Sequence, residues 1–263
     1  MRYLKIVVGT AVWLAVSALK PVPTVPLPDV QPGDMWVMVG ADETHDGNRN
    51  GFRQVRQRLS VTNIEGDRVQ LAVQAVGSPL APRTMLRGRD WSNYVSVAGV
   101  DTLSAQPMNF PLSVGKHWTV VYETTTPPDR KYAWIRFTRN YAVTEFAPVT
   151  VAGGTFPAFR IEMTGHWQAR FAPGVETVAH MRTDAGGNSV AVDQARAPAG
   201  AMTGGRLYSA IWYAPSVKHW VKLTEEFYGS AGVLSEKDES ELEKFESARP
   251  VASAAPQTSV GRE

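Results

Sequence analysis

Between residues 54 and 75 apolar and polar positions alternate. Val55, Leu59 and Val61 are interleaved with Gln54, Arg56, Arg58, Ser60 and Thr62, and Val69, Leu71, Val73 and Ala75 repeat at period two. The pattern returns downstream, where Ile135, Phe137, Tyr141 and Val143 alternate with Arg136, Thr138 and Asn140, and Phe159, Ile161 and Met163 keep the same period. Successive strand side chains point to opposite faces, so one face meets a core and the other meets water or a groove. Further strands are predicted near 35–41, 117–126, 175–183, 188–194, 206–214 and 219–228. Turn signals separate them, among them Asp46-Gly47-Asn48, Glu65-Gly66-Asp67, Pro127-Pro128-Asp129, Gly153-Gly154 and Asp184-Ala185-Gly186-Gly187. The chain therefore reads as all-β, with antiparallel sheets forming a sandwich or half-barrel. In 206–214 both faces are apolar, which predicts a central strand covered on both sides. The return strand, with Val221, Leu223 and Phe227 set against Lys222, Thr224 and Glu226, reads as one-sided and nearer an edge.

Shifted by 82 positions, the sequence resembles itself. Gly33 and Trp36 fall on Gly115 and Trp118, Phe52 on Trp134, Val55 on Phe137, Leu59 on Tyr141, and Val61-Thr62 on Val143-Thr144. Leu71 then matches Ile161 after an insertion in the second copy. The matches fall mainly on the apolar face, which predicts two similar β units, about 33–110 and 111–228, each incomplete alone.

Outside this β body, residues 33–228, the pattern changes. Ser235 to Glu246 predicts a short helix within a helical segment 229–249, with Ser235 as N-cap, acidic residues in the first turn, and Leu242 and Phe245 three apart. Residues 250–263, rich in Ala, Ser and Pro, read as a disordered tail. At the other end Arg2 and Lys5 precede an uncharged apolar run from Ile6 to Leu19. As a helix that run is about 21 Å long, short of a bilayer core of about 30 Å. Ala15-Val16-Ser17 supplies small residues before a cut at Ala18, so residues 1–17 read as a secretory signal peptide. An uncleaved anchor is the alternative. Residues 18–32 contain Pro21, Pro23, Pro26 and Pro28 and read as an extended spacer. No later stretch approaches membrane-spanning length, so the mature chain is expected to have no transmembrane span.

Composition narrows the chemistry. The chain has no cysteine, which removes disulfides, thiol catalysis, thiolate metal sites and lipidation of an N-terminal cysteine. Two of its 27 basic residues, Arg2 and Lys5, lie in the leader, and the rest balance the 25 acidic ones. A nucleic-acid partner, which would need a basic excess, is not expected. There is no HExxH, GxSxG, GxGxxG or P-loop, so no catalytic residue, metal or cofactor is predicted. His117, His166 and His219 each precede a tryptophan, as suits strand residues alternating between core and surface. Asp42, Glu43 and Asp46 read as a solvated turn. Arg53, Arg56, Arg58, Arg136 and Arg139 recur in the two matching strands, as a solvated face or as a surface for headgroups, glycans or a partner. Trp36, Trp118, Trp134, Trp212 and Trp220 fall on predicted strands and either pack a core or line an apolar ligand cavity.

Three segments carry a family resemblance. Residues 151–161, VAGGTFPAFRI, are similar to a V-x-A-G-T-F-x-A-φ-K-I signature in which φ is apolar. Residues 212–222, WYAPSVKHWVK, are similar to W-Y-A-P-G-V-G-x-V-K, and residues 111–118, PLSVGKHW, to P-L-x-V-G-x-x-W. Together they resemble the TapB-like family of exported bacterial proteins over about residues 110–228. Gly153-Gly154 adds one residue to the first signature, and Ser216 and Lys218 stand where the second has glycines. The resemblance implies a periplasmic or secreted location and brings no catalytic residues. Two functions are carried forward. One is a non-enzymatic envelope protein binding an apolar ligand or a protein partner. The other is an enzyme acting on an envelope polymer such as glycan, with carboxylates gathered only by the fold.

Overall fold

The computed structural model describes residues 23–248 other than 47–48, 98, 128, 174–175, 184–189 and 197–199. The first six strands are β1 (Met35–Asp46), β2 (Arg49–Glu65), β3 (Arg68–Ala75), β4 (Arg83–Gly88), β5 (Asn93–Val97) and β6 (Val100–Ala105). Then come β7 (His117–Thr124), β8 (Tyr132–Val151), β9 (Gly154–Phe171), β10 (Glu176–Thr183) and β11 (Val190–Arg196). The last three are β12 (Met202–Ala214), β13 (His219–Tyr228) and β14 (Leu234–Glu246), with a 3-10 turn over Pro215–Val217 between β12 and β13. Ten strands form one antiparallel sheet in the order β4-β3-β2-β1-β14-β13-β12-β9-β8-β7, while β5–β6 and β10–β11 are separate hairpins.

The period-two pattern explains which face is inside. Along β3, Val69, Leu71 and Val73 are buried while Gln70, Ala72 and Gln74 between them are half-exposed. Each such aliphatic side chain stabilises the fold by roughly 1.5–3 kcal/mol on burial. The sheet is not closed into a barrel, but it curls on itself. Leu71 near one end and Tyr141 near the other share a single buried cluster with Ile161, Ile211, Val221 and Leu242. The β5–β6 hairpin lies beside both edge strands, β4 and β7, and so occupies the gap that the open sheet leaves. Arg68 of β3 reaches Asp101 of β6 at 3.4 Å, and Arg139 of β8 donates to the Ser104 carbonyl of β6 at 2.8 Å.

Three expectations are corrected. The predicted C-terminal helix is a strand: β14 covers Leu234–Glu246 and pairs with β1 over 236–246 on one side and with β13 over 234–241 on the other. Two ladders of backbone hydrogen bonds and the complete burial of Leu242 outweigh the local helix preference of its Glu and Lys residues. For the same reason β13 is not near an edge, since β14 lies beyond it. The edges are β4 and β7. Asp42 and Glu43 likewise lie within β1, paired with β2 and β14, and not in a turn.

Geometry at the two matching regions corresponds at the same spacing of 82. Trp36 lies opposite Leu59, and Trp118 lies opposite Tyr141. Val61 N–H donates to the Asp34 carbonyl at 2.9 Å, and Val143 N–H to the Lys116 carbonyl at 2.8 Å. Gly33 N–H donates to Val61 O, and Gly115 N–H to Val143 O. Both glycines sit at positive φ, 96° and 88°, where a side chain would be strained. A register shift follows at Val61/Asn63 and again at Val143/Glu145.

Candidate functional site

The five predicted tryptophans do not converge on one place. Trp36 is wholly buried. Its ring stacks on His219 and Phe245, with centroids 4.9 and 5.7 Å away, and its indole donates to the Val217 carbonyl at 2.8 Å. Trp118 is half-buried, stacks on Tyr141 at 5.2 Å and donates to Gln106 O at 2.9 Å. Trp134 lies among charges, donating to Glu123 at 2.8 Å with the Arg170 guanidinium 5.7 Å from its ring. Trp212 lies on the outer face between Arg160 and Lys222, at 5.4 and 5.8 Å. Of the five, only Trp220 lines the cavity between the β5–β6 hairpin and the inner face of the sheet.

The sequence reading missed Trp91. It lies 6.0 Å from Trp220 and 5.5 Å from Trp36, edge-on to each, and it is buried. It occupies the turn after β4 at φ 65°, unusual for a bulky residue, and its indole donates to Lys218 O at 3.0 Å. The signal was present as Gly88-Arg89-Asp90-Trp91, a turn sequence ending in an aromatic, but period-two reading passes over turns.

Trp91 and Trp220 wall a cavity of about 250 Å³. It is bounded by β4 and the β5–β6 hairpin on one side and by β8, β9, β12 and β13 on the other. Tyr141, Met163, Leu207 and Ile211 supply apolar lining, with Leu223 and Phe227 from β13. Cross-strand register explains the assembly. Tyr141, Met163, Ser209 and Glu225 are directly opposite one another on four neighbouring strands. The row continues away from the cavity through Asp238 and Asp42 to Arg53.

Four charged residues line the cavity: Arg87, Arg139, Glu225 and Glu226, the last accepting from the Tyr228 hydroxyl at 2.6 Å. Burial pulls both guanidiniums below the usual arginine range; Arg83 adds to the effect at Arg87, and Glu225 opposes it at both. Burial also raises the Glu225 carboxyl, helped by Asp238 and Glu236 and opposed by Arg139 and Arg87. Asp238 is pushed up to about 6, first by burial and then by Glu236 and Asp42, with Arg53 opposing. Burial pushes the Tyr141 hydroxyl up to about 12, so it stays protonated. Ser209 Oγ and Trp220 Nε1, both on the cavity wall, are buried without a hydrogen-bond partner in the protein.

The remaining candidates disperse. Arg53 pairs with Asp42, Arg56 with Glu243 and Arg136 with Glu123, whereas Arg58 is exposed and Arg139 turns inward, so the five arginines share no single face. His219 is a core residue, His117 and His166 are exposed, and His180 lies where side chains are not described. Among the described residues no group of three His, Asp or Glu is placed to hold a metal.

No protein-family model matches the chain, and no curated protein matches it. The TapB-like resemblance therefore rests on the three quoted segments alone. Two solved structures are similar. One, from Parabacteroides distasonis, is described as a "putative lipoprotein"; it is 12% identical, with a TM-score of 0.44 over 85% of this chain and 100% of that one. The other, from Bacteroides fragilis, is described as a "putative exported protein with YmcC-like fold"; it is 14% identical, with a TM-score of 0.36 over the same shares. Likeness at this level carries no argument about function. No helix among the described residues is long and apolar enough to cross a membrane.

Trp212 is the tryptophan whose position most changes its expected role. Trp212→Ala should cost about 1–2 kcal/mol in urea unfolding, the worth of two cation–π contacts and partial burial, rather than the larger cost of a core tryptophan. It should leave ligand binding in the cavity unchanged.

Proposed function

We propose that the protein is an exported, non-enzymatic envelope protein whose inner face binds an apolar ligand. The observation that carries this reading is the enclosed space of about 250 Å³ between the β5–β6 hairpin and the sheet, walled by Trp91, Trp220 and aliphatic side chains. Its size exceeds the roughly 150 Å³ apolar cavities that take up benzene and approaches the lower limit of small-molecule sites. Export rests on the basic residues and short apolar run of residues 1–17. An enzyme acting on glycan would need two carboxylates flanking one bond. Glu225 and Glu226 both line the cavity, but they are adjacent on β13, where successive side chains point to opposite faces, and Glu226 accepts from the Tyr228 hydroxyl. The body further reads as two like β units, supported by the matching registers and turns at a spacing of 82 residues.

A neutral naphthylamine fluorophore tests the binding reading. Its emission should rise on titration and saturate at one site per chain. Ser209→Phe, which places a ring in the cavity, should abolish the rise while circular dichroism stays unchanged. A non-saturating signal, or full binding by a folded Ser209→Phe variant, would overturn the reading.

A further inference from the structure

The wall of this cavity is rich in hydrogen-bond donors, and its surplus of donors has a consequence for what it holds. A guanidinium and an indole N–H can only donate, and a serine hydroxyl can donate as well. Arg87 donates one hydrogen to its neighbour's carbonyl, Leu86 O, at 3.1 Å, and Arg139 donates one to Ser104 O at 2.8 Å. That leaves most of each five-donor fork uncommitted, and no carboxylate lies within 4.0 Å of either among the described residues. Arg139 also lies 4.5 Å over the Phe137 ring, which holds its plane. Ser209, 1% exposed, keeps an unpartnered Oγ on the same wall, and Trp220 keeps an unpartnered indole N–H there. Buried polar groups left unpaired are costly, so Ser209 Oγ and Trp220 Nε1 favour an occupant that accepts hydrogen bonds.

Two carboxylates line the cavity, Glu225 and Glu226, and Glu226 already accepts from the Tyr228 hydroxyl at 2.6 Å. Glu225 faces Asp238 across the β13–β14 ladder, and burial and that neighbour both raise its pKa. Two guanidiniums, the Trp220 indole and the Ser209 hydroxyl thus share the wall with two carboxylates, one of which is already taken by Tyr228.

We propose that the cavity's occupant is a small single-chain amphiphile with one anionic head, its head held by Arg87, Arg139, Ser209 and Trp220 and its chain against Met163, Leu207 and Leu223. This rests on the binding reading above and specifies its ligand class. The guanidinium forks suit a carboxylate or a phosphate monoester, each of which can accept two parallel bonds from one arginine.

Displacement of the neutral fluorophore by octyl compounds tests the head group on the wild-type protein. Octanoate or octyl phosphate should displace it at least roughly tenfold more tightly than 1-octanol, as charged hydrogen bonds over neutral ones require. Octylamine should be weaker than both anions. The stronger of the two anions identifies the head. Arg87→Met and Arg139→Met, which keep length and lose charge, should each remove most of the anion's advantage and leave 1-octanol unchanged. Equal binding of octanoate, octyl phosphate and 1-octanol, or preference for octylamine, would overturn the proposal while the apolar-ligand reading stands. If the fluorophore itself does not bind, both fall. The head-group comparison needs no variant, so a misfolded arginine variant does not blunt the test.

Discussion

Asp34→Ala should unfold at markedly lower urea concentration than the wild type, with a loss of about 3–5 kcal/mol, the usual cost of breaking a buried charge pair from one side. Asp34 is completely buried, yet its carboxylate accepts four hydrogen bonds from described residues. Its Oδ2 accepts from Gln31 N–H at 2.9 Å and from Lys218 Nζ at 2.9 Å. Its Oδ1 accepts from Ala248 N–H at 2.8 Å and from Ser247 Oγ at 3.3 Å. One carboxylate thus ties the entry to β1, the end of the 3-10 turn and the chain leaving β14. Alanine would strand two backbone donors as well as the lysine. Asp34→Asn should recover only part of the loss, because its amide N–H₂ would replace one acceptor by a donor. A wild-type unfolding midpoint for Asp34→Ala would show that water replaces this carboxylate without cost.

Acid should destabilise the protein through His219. The ring is wholly buried between Trp36 and Trp220, and burial lowers its pKa to about 3, against a smaller opposing effect of its bond to the Trp220 carbonyl. In the unfolded chain it titrates near 6.5. The unfolded state therefore takes up a proton below 6.5 that the folded state refuses until about pH 3. The stabilising contribution is complete above pH 6.5 and falls by about 1.4 kcal/mol per pH unit below it. At pH 4.5 the loss reaches about 2–3 kcal/mol. Asp238 acts in the opposite sense, since its raised value of about 6 means that acidification relieves a penalty. Comparison with His219→Phe separates the two. The stability difference between wild type and variant should shift by that amount, against the wild type, between pH 7.5 and pH 4.5. A pH-independent difference would contradict a neutral buried imidazole.

The strand pattern was legible wherever one face of a strand is buried and the other wet, as at Val69, Leu71 and Val73, because burial then imprints period two on the residues. It failed at β14, where Leu242 is the only fully buried side chain and both ladders come from strands far away in the sequence. A local reading sees only a run of Glu and Lys with helix preference. The tryptophan list was half useful for a related reason. Strand position told which tryptophans stand on a sheet, but not which face they take, so Trp212 and Trp220 looked alike while one faces charges and the other the cavity. Arg87, Arg139 and Ser209 could not have been picked out together. They are unremarkable residues on three strands, and only the sheet order and the β5–β6 hairpin make them neighbours.

The placement of β14 bears on when the molecule can fold. Without it the sheet would be two separate pieces, β4 to β1 and β13 to β7, each with an unpaired edge facing the other. That strand follows every other strand of the sheet in chain order, and it joins Glu246 to Met35 at the opposite end of the body. Closing so long a loop is slow, and nothing earlier in synthesis can substitute for it. Until β14 is available, the two pieces of the sheet lack the strand that pairs with both. Under the proposed export, the whole sheet would be completed only after residues 234–246 had crossed the membrane.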